Sequence, residues 1–196
     1  MAVETLRPNA AGDECLISLQ TGAACPDHYL NVDEVAPDGH TTEVYTNAVA
    51  YERDLYNIQD HSVGSGTINS VTVYAYCMRA DIIDTVQASL KIACKTGGVA
   101  YEDVERTLTA GWVYYSKVWA ANPGGGAWTW AQIDALQVGV AMRRGTDVTS
   151  RSYCTQVYVE VDYTLPGWTG KVSGVTNPAK VMGVAVASIA KVKGVA

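Results

Sequence analysis

A chain of 196 residues has room for one well-buried domain plus an appendage, and too little for two full domains. All 20 Asp and Glu fall at or before Asp162, so residues 1–165, with 10 Lys and Arg, carry a net charge of −10, while the four remaining lysines give residues 166–196 a charge of +4. A body this acidic excludes a phosphate-gripping nucleic-acid binder, and four spaced lysines are too sparse to make one of the tail.

The first third predicts short strands around residues 15–19, 43–46 and 49–56, separated by turn-rich stretches such as Ala36-Pro37-Asp38-Gly39. From Thr67 onward the pattern is period-two alternation, the mark of half-buried strands. Over 67–79, Val71, Val73, Ala75 and Cys77 share one face while Thr72, Tyr74 and Tyr76 share the other. Over 88–95, Leu90, Ile92 and Cys94 face one way, and Gly97-Gly98 then supplies the positive φ angles of a hairpin turn into Val99-Ala100-Tyr101. Residues 111–120 form a strand dense in rings: Trp112, Tyr114, Tyr115 and Trp119. Thr129, with Gln132 three residues on, makes a capping box for one short helix carrying Trp130, Ile133 and Leu136 on a single face. Leu136, Val138, Val140 and Met142 alternate next, and Tyr153 to Tyr163 alternates last.

About eight to ten strands with one helical turn predict an all-β chain, an antiparallel β-sandwich of jelly-roll type with one short helix and an extended C-terminal arm. A meander closing into a barrel is the alternative. The body is residues 1–165 and the arm 166–196. In the arm one phrase recurs three times, KVSGV from Lys171, KVMGV from Lys180 and KVKGV from Lys191. Its valines are too apolar for a solvated linker and its glycines too frequent for a helix, so Val172, Val175, Val181, Val184, Val186, Ile189, Val192 and Val195 are expected to dock on protein, in cis or on a neighbouring copy.

Catalytic signals are poor. His28, His40 and His61 lack the close spacing of a zinc site, and Ser65, in Gly64-Ser65-Gly66, lacks the frame of a nucleophile elbow. His61 beside Asp60 reads as a solvated turn. Asn122-Pro123-Gly124-Gly125-Gly126 has no following Lys-Ser or Lys-Thr, so it reads as a structural loop rather than a phosphate cradle. The loop acids Asp13-Glu14, Asp33-Glu34 and Glu102-Asp103 are candidates for Ca2+, though none has a calcium-loop spacing; no other cofactor or metal is implied. Five cysteines, an odd number, are expected as free thiols, with Cys15 and Cys25 close enough to bridge and Cys154 among outward polar positions where it could meet a partner. The absence of Phe beside 12 Tyr and five Trp suits rings that are apolar on one side and wet on the other. Trp112, Trp119, Trp128 and Trp130 are therefore the candidates for stacking on a ligand.

The style of Thr5-Leu6-Arg7-Pro8-Asn9, of Arg53-Asp54-Leu55-Tyr56-Asn57-Ile58 with Asp60-His61, and of Gly66 to Val71, Ala127 to Trp130, Ile133 to Val140 and Thr155 to Val161 resembles a group of bacteriophage virion structural proteins. The closing repeats look like the Lys-Val/Ile-x-Gly-Val tails of phage tail, fibre and surface proteins. The resemblance implies a non-enzymatic virion component on the particle surface, of the fibre, tail or capsid-decoration class. Such a component would homo-oligomerise through its arm and contact other virion proteins.

A carbohydrate-binding or receptor-binding module using exposed Trp and Tyr on a host-surface glycan is the second expectation, and a self-polymerising filament subunit the third. No secretory signal opens the chain, and the arm's longest apolar run is about half a membrane span, so a protein made in the host cytoplasm with no membrane partner is expected.

Overall fold

A computed structural model of the protein describes residues 2–63, 65–80 and 87–166, together with the paired backbone positions 171–172, 175–176, 180–181 and 184–185. Two six-stranded antiparallel sheets pack face to face. The first contains β1 (Ala2–Leu6), β3 (Leu19–Thr21), β4 (Glu43–Thr46), β6 (Thr67–Ala80), β10 (Val113–Trp119) and β12 (Arg151–Thr164), in the order β10-β6-β12-β4-β3, with β1 also on β12. The second contains β2 (Pro8–Cys15), β5 (Glu52–Ile58), β7 (Ser89–Thr96), β8 (Val99–Glu102), β9 (Arg106–Thr107) and β11 (Gln137–Arg143), in the order β2-β5-β11-β7-β8, with β9 also on β7. Most connections carry the chain from one sheet to the other; only β3 to β4 and β7 through β9 stay within a sheet. This is the jelly-roll type of sandwich the alternation predicts.

The core lies between the sheets. Val71, Val73, Ala75 and Cys77 of β6 and Val157, Val159 and Val161 of β12 meet Leu90, Ile92 and Cys94 of β7 and Val138, Val140 and Met142 of β11, all buried. Each such side chain contributes about 1.5–3 kcal/mol on burial, which accounts for the regular branched-residue alternation in these four strands. Gly97 and Gly98 both take positive φ, +58° and +80°, in the turn between β7 and β8. Thr129 caps α1 (Trp130–Asp134) by accepting from the Gln132 backbone N–H while the Gln132 side chain accepts from Thr129 N–H.

Three features depart from the sequence reading. The strand expected at 15–19 is instead the last residue of β2, a connector over 16–18 and the first residue of β3, and most of β1 and β2 lies before it; their Pro, Gly and acidic residues hide the alternation because they take sheet-edge positions. Cys15 and Cys25 form a disulfide, with Cα atoms 6.0 Å apart, whereas Cys77, Cys94 and Cys154 are free and buried. Cys154 does not face outward. A bulge between Cys154 and Gln156 shifts the register of β12 against β6, so Cys154 turns into the core opposite Cys77 while Gln156 pairs with Tyr76 on the outer face. Burial pushes both the Cys77 and Cys94 thiols up, the latter to about 12, as expected of inert core residues.

In the arm, Lys171-Val172 pairs antiparallel with Val175-Thr176, and Lys180-Val181 with Val184-Ala185. Each is a separate two-stranded ladder outside the two large sheets. The side chains of Val172, Val175, Val181 and Val184 lie outside the described residues, as do Val186, Ile189, Val192 and Val195 altogether. Among the described residues no helix is long and apolar enough to cross a membrane.

Candidate functional site

The outer face of the first sheet gathers the aromatic residues. Because side chains alternate across a strand, the even-numbered residues of β6 and β10 that do not enter the core stand together on this face, and the antiparallel register lines them up. One rung runs Tyr114, Tyr76, Gln156; the next runs Ser116, Tyr74, Tyr158. A third brings Tyr153 beside Met78 and Tyr45. Tyr74 and Tyr158 stack with centroids 4.7 Å apart, Tyr76 lies 4.5 Å from Tyr114 and stacks on Trp112 at 5.7 Å, and Tyr45 stacks on Tyr153 at 5.1 Å. Two guanidinium groups flank the comb, Arg7 5.3 Å over Tyr158 and Arg151 5.5 Å over Tyr45.

The loop 33–42 closes one side. The Arg7 guanidinium donates to the carbonyls of Glu34 and Val35, and the Gln156 amide donates to the Glu34 carbonyl at 2.6 Å. Thr155 Oγ1 lies 2.8 Å from both Asp38 Oδ1 and the Thr42 carbonyl, tying the loop to β12. His40, held by Glu43 at 2.7 Å, turns its ring edge-on to Trp112 and Tyr153. Burial pushes the Glu34 carboxyl up, with its neighbours Asp38 and Asp33 adding to the rise.

The face is wet but its phenols stay neutral. Burial, then the Glu160 carboxylate and the neighbouring Tyr114 and Tyr74, push Tyr158 up to about 12. Burial and a hydrogen bond to Glu160 raise Tyr74, and burial with Tyr76 raises Tyr114. Tyr114 is 49% exposed and donates its hydroxyl to Gln156 Oε1 at 2.8 Å. Apolar ring surface, hydroxyl groups able to donate and accept and a guanidinium thus share one surface above the buried Gln156 carboxamide, whose oxygen and nitrogen are held by Tyr114 and the Glu34 carbonyl; the exposed groups suit a partner that is apolar on one side and rich in hydroxyls on its rim.

Of the four tryptophans expected to stack on a ligand, Trp112 is on this face. Trp119 lies an odd seven residues further along the strand and is therefore on the opposite side, 8% exposed in the core. Trp128, 5% exposed, plugs the core and donates its indole N–H to the Trp119 carbonyl. Trp130 is half-buried, with its N–H on the Gly66 carbonyl and its ring stacked on His61. Trp119 and Trp128 are corrected to core residues. Tyr74, Tyr76, Tyr158, Gln156 and Arg7 were missed as site residues. Tyr74 and Tyr76 already alternate outward in the sequence, but pairing with β10 and β12 is what makes them neighbours.

The loop acids proposed for Ca2+ are largely committed elsewhere. Glu14 grips Arg53 through both oxygens, Glu102 bridges Arg53 and Lys91, Asp13 holds Lys95, and Asp103 holds Arg106 and the Ile92 N–H. Glu34 accepts from Thr42. His61 pairs with Asp134 rather than Asp60, and that bond holds the Asp134 carboxyl below its usual range. The Asn122–Gly126 loop is structural, as expected: Asn122 is buried and bonded to Thr96 and Gly124.

A second constellation has no sequence signature. His28, on the 3₁₀ turn Asp27–Asn31, is fully buried and bonded through Nδ1 to Asp54 of β5 at 2.7 Å, beside Cys15. The three residues come from segments whose spacing carries no motif.

No protein-family model matches the sequence, and no curated protein matches it. Among solved structures the chain is similar to "Family 16 Carbohydrate Binding Module-2", with 11% identity, coverage of 62% of this chain and 78% of that one, and a TM-score of 0.35. That distance leaves function to the chemistry of the face itself.

Proposed function

We propose that the protein is a non-catalytic glycan-binding module that receives its ligand on the outer aromatic face of the first sheet. The observation that carries this reading is the convergence of Trp112, Tyr74, Tyr76, Tyr114 and Tyr158 on adjacent strands, partly exposed, with Gln156 and Arg7 beside them. A sugar ring offers a C–H face to such rings and hydroxyls to their polar tips, and rigid rings lose little conformational entropy on binding. A glycan array probed with the full chain, followed by calorimetry on the retained sugar, tests it. Retention that weakens in Trp112→Ala and Tyr158→Ala supports the reading; no retained glycan, or binding indifferent to both variants, overturns it.

A second reading is compatible with the first. The charge split between an acidic body and an acid-free arm favours attraction between copies, and with the phage-protein resemblance it supports a virion surface component whose arm mediates homo-oligomerisation.

A further inference from the structure

We propose that Cys15, Cys25 and His28 form a metal site for a thiophilic divalent cation, zinc being the fitting one, that is available when the Cys15–Cys25 disulfide is reduced. The Cys15 sulfur, a ring nitrogen of His28 and a carboxylate oxygen of Asp54 all lie within 4.8 Å of one another, and the disulfide bonds the Cys25 sulfur directly to that of Cys15.

The state of His28 points to a ligand. Asp54 is fully buried and already accepts from the Ile17 N–H at 2.9 Å and from the Tyr56 hydroxyl at 3.2 Å, so it acts as acceptor and His28 Nδ1 carries the hydrogen between them. That leaves Nε2 as the free position of the imidazole. It is buried and has no hydrogen-bond partner, an arrangement that a fold normally avoids. A carboxylate fixing one nitrogen so that the other presents its lone pair is the outer-shell arrangement of metal-bound histidines. Asp54 is then a positioning residue, and the ligands are two thiolates and one imidazole, with a fourth position open to water. The site stands apart from the aromatic face and does not depend on the glycan reading.

The chemistry balances with a dithiol or phosphine reductant. Two electrons and two protons break the Cys15–Cys25 bond to give two thiols, the reductant being oxidised; Zn2+ then displaces the two thiol protons to solvent as it binds. Oxidised protein should leave the metal unbound, because a disulfide sulfur is a poor donor.

The test uses the full chain, reduced with a phosphine without oxygen and desalted. Zn2+ is titrated against a chromophoric chelator, and Co2+ serves as the spectroscopic stand-in whose thiolate charge-transfer bands report sulfur ligation. The expected result is about one equivalent of zinc bound by reduced protein and none by oxidised protein, at least about 100-fold weaker binding in Cys15→Ser and in Cys25→Ser, and at least about tenfold weaker binding in His28→Gln. Far-UV circular dichroism follows each sample. A reduced protein that keeps its β spectrum and binds no zinc, or that unfolds and is not refolded by zinc, overturns the proposal. So do thiolate bands that survive both cysteine substitutions, since the metal would then sit on Cys77, Cys94 or Cys154.

Discussion

Two tryptophans seven residues apart, Trp112 and Trp119, illustrate how parity assigns roles. The even position reaches the outer face and the odd one the core, so the same substitution should have different effects on the two sides. Trp112→Ala removes one ring that touches Tyr76 and His40 and is expected to leave thermal stability within about 1 kcal/mol while weakening glycan binding about tenfold, the equivalent of one aromatic contact. Trp128→Ala empties a core position and abandons the Trp119 carbonyl, at an expected cost of about 3–5 kcal/mol in denaturant unfolding. The phenols give a pH test at the same scale. Tyr158 has its folded pKa raised from 10 to about 12, so its neutral form is favoured by the fold. That contribution is fully present below pH 10 and is lost as pH rises toward 12. Phenolate absorbance should therefore show a late-titrating component in native protein that is missing in urea and smaller by one tyrosine in Tyr158→Phe, part of the remainder belonging to Tyr56, whose hydroxyl burial pushes well above its ordinary value.

At the level of elements, the strands that build the core were legible because each is buried on one face only and writes that fact as alternation: β6, β7, β11 and β12 follow their branched residues to within a few positions, and the capping box located α1. Strand β2 was not legible, since its sequence PNAAGDEC carries little apolar surface and it holds its place by pairing with β5. The bulge in β12 was equally silent: one extra residue reverses the side on which Cys154 falls, and nothing in Tyr153-Cys154-Thr155-Gln156 announces it. The candidate site was half legible for the same reason, as its rings alternate visibly along each strand while their adjacency depends on strand order. Pairing also explains a glycine. Gly139 in β11 lies against β5 so closely that a Cβ would overlap the Asp54 carbonyl, with the neighbouring backbone unable to yield cheaply. Gly139→Ala is expected to destabilise the protein by about 3 kcal/mol or more, measured as a fall in the urea midpoint, and more than Gly111→Ala, where a Cβ meets open space.

For the whole molecule, the decisive relation is between the sandwich and its arm. Every strand of both six-stranded sheets ends by Thr164, and the described arm strands pair only with each other, so the sheets close without them. Truncation after Leu165 should leave the far-UV spectrum and the unfolding midpoint of the body unchanged. It also removes all four arm lysines and leaves a body of charge −10, which raises repulsion between copies just as the apolar valines are lost. If the arm joins copies, size-exclusion chromatography will show a defined oligomer for the full chain and a monomer for the truncated one. Raising the salt should loosen the oligomer only slightly, because the valines rather than exposed lysines would supply most of the association energy. A full chain that elutes as a monomer, with the same profile as the truncated form, would remove the assembly reading while leaving the aromatic face, which lies entirely within residues 7–158, free to bind glycan as a single copy.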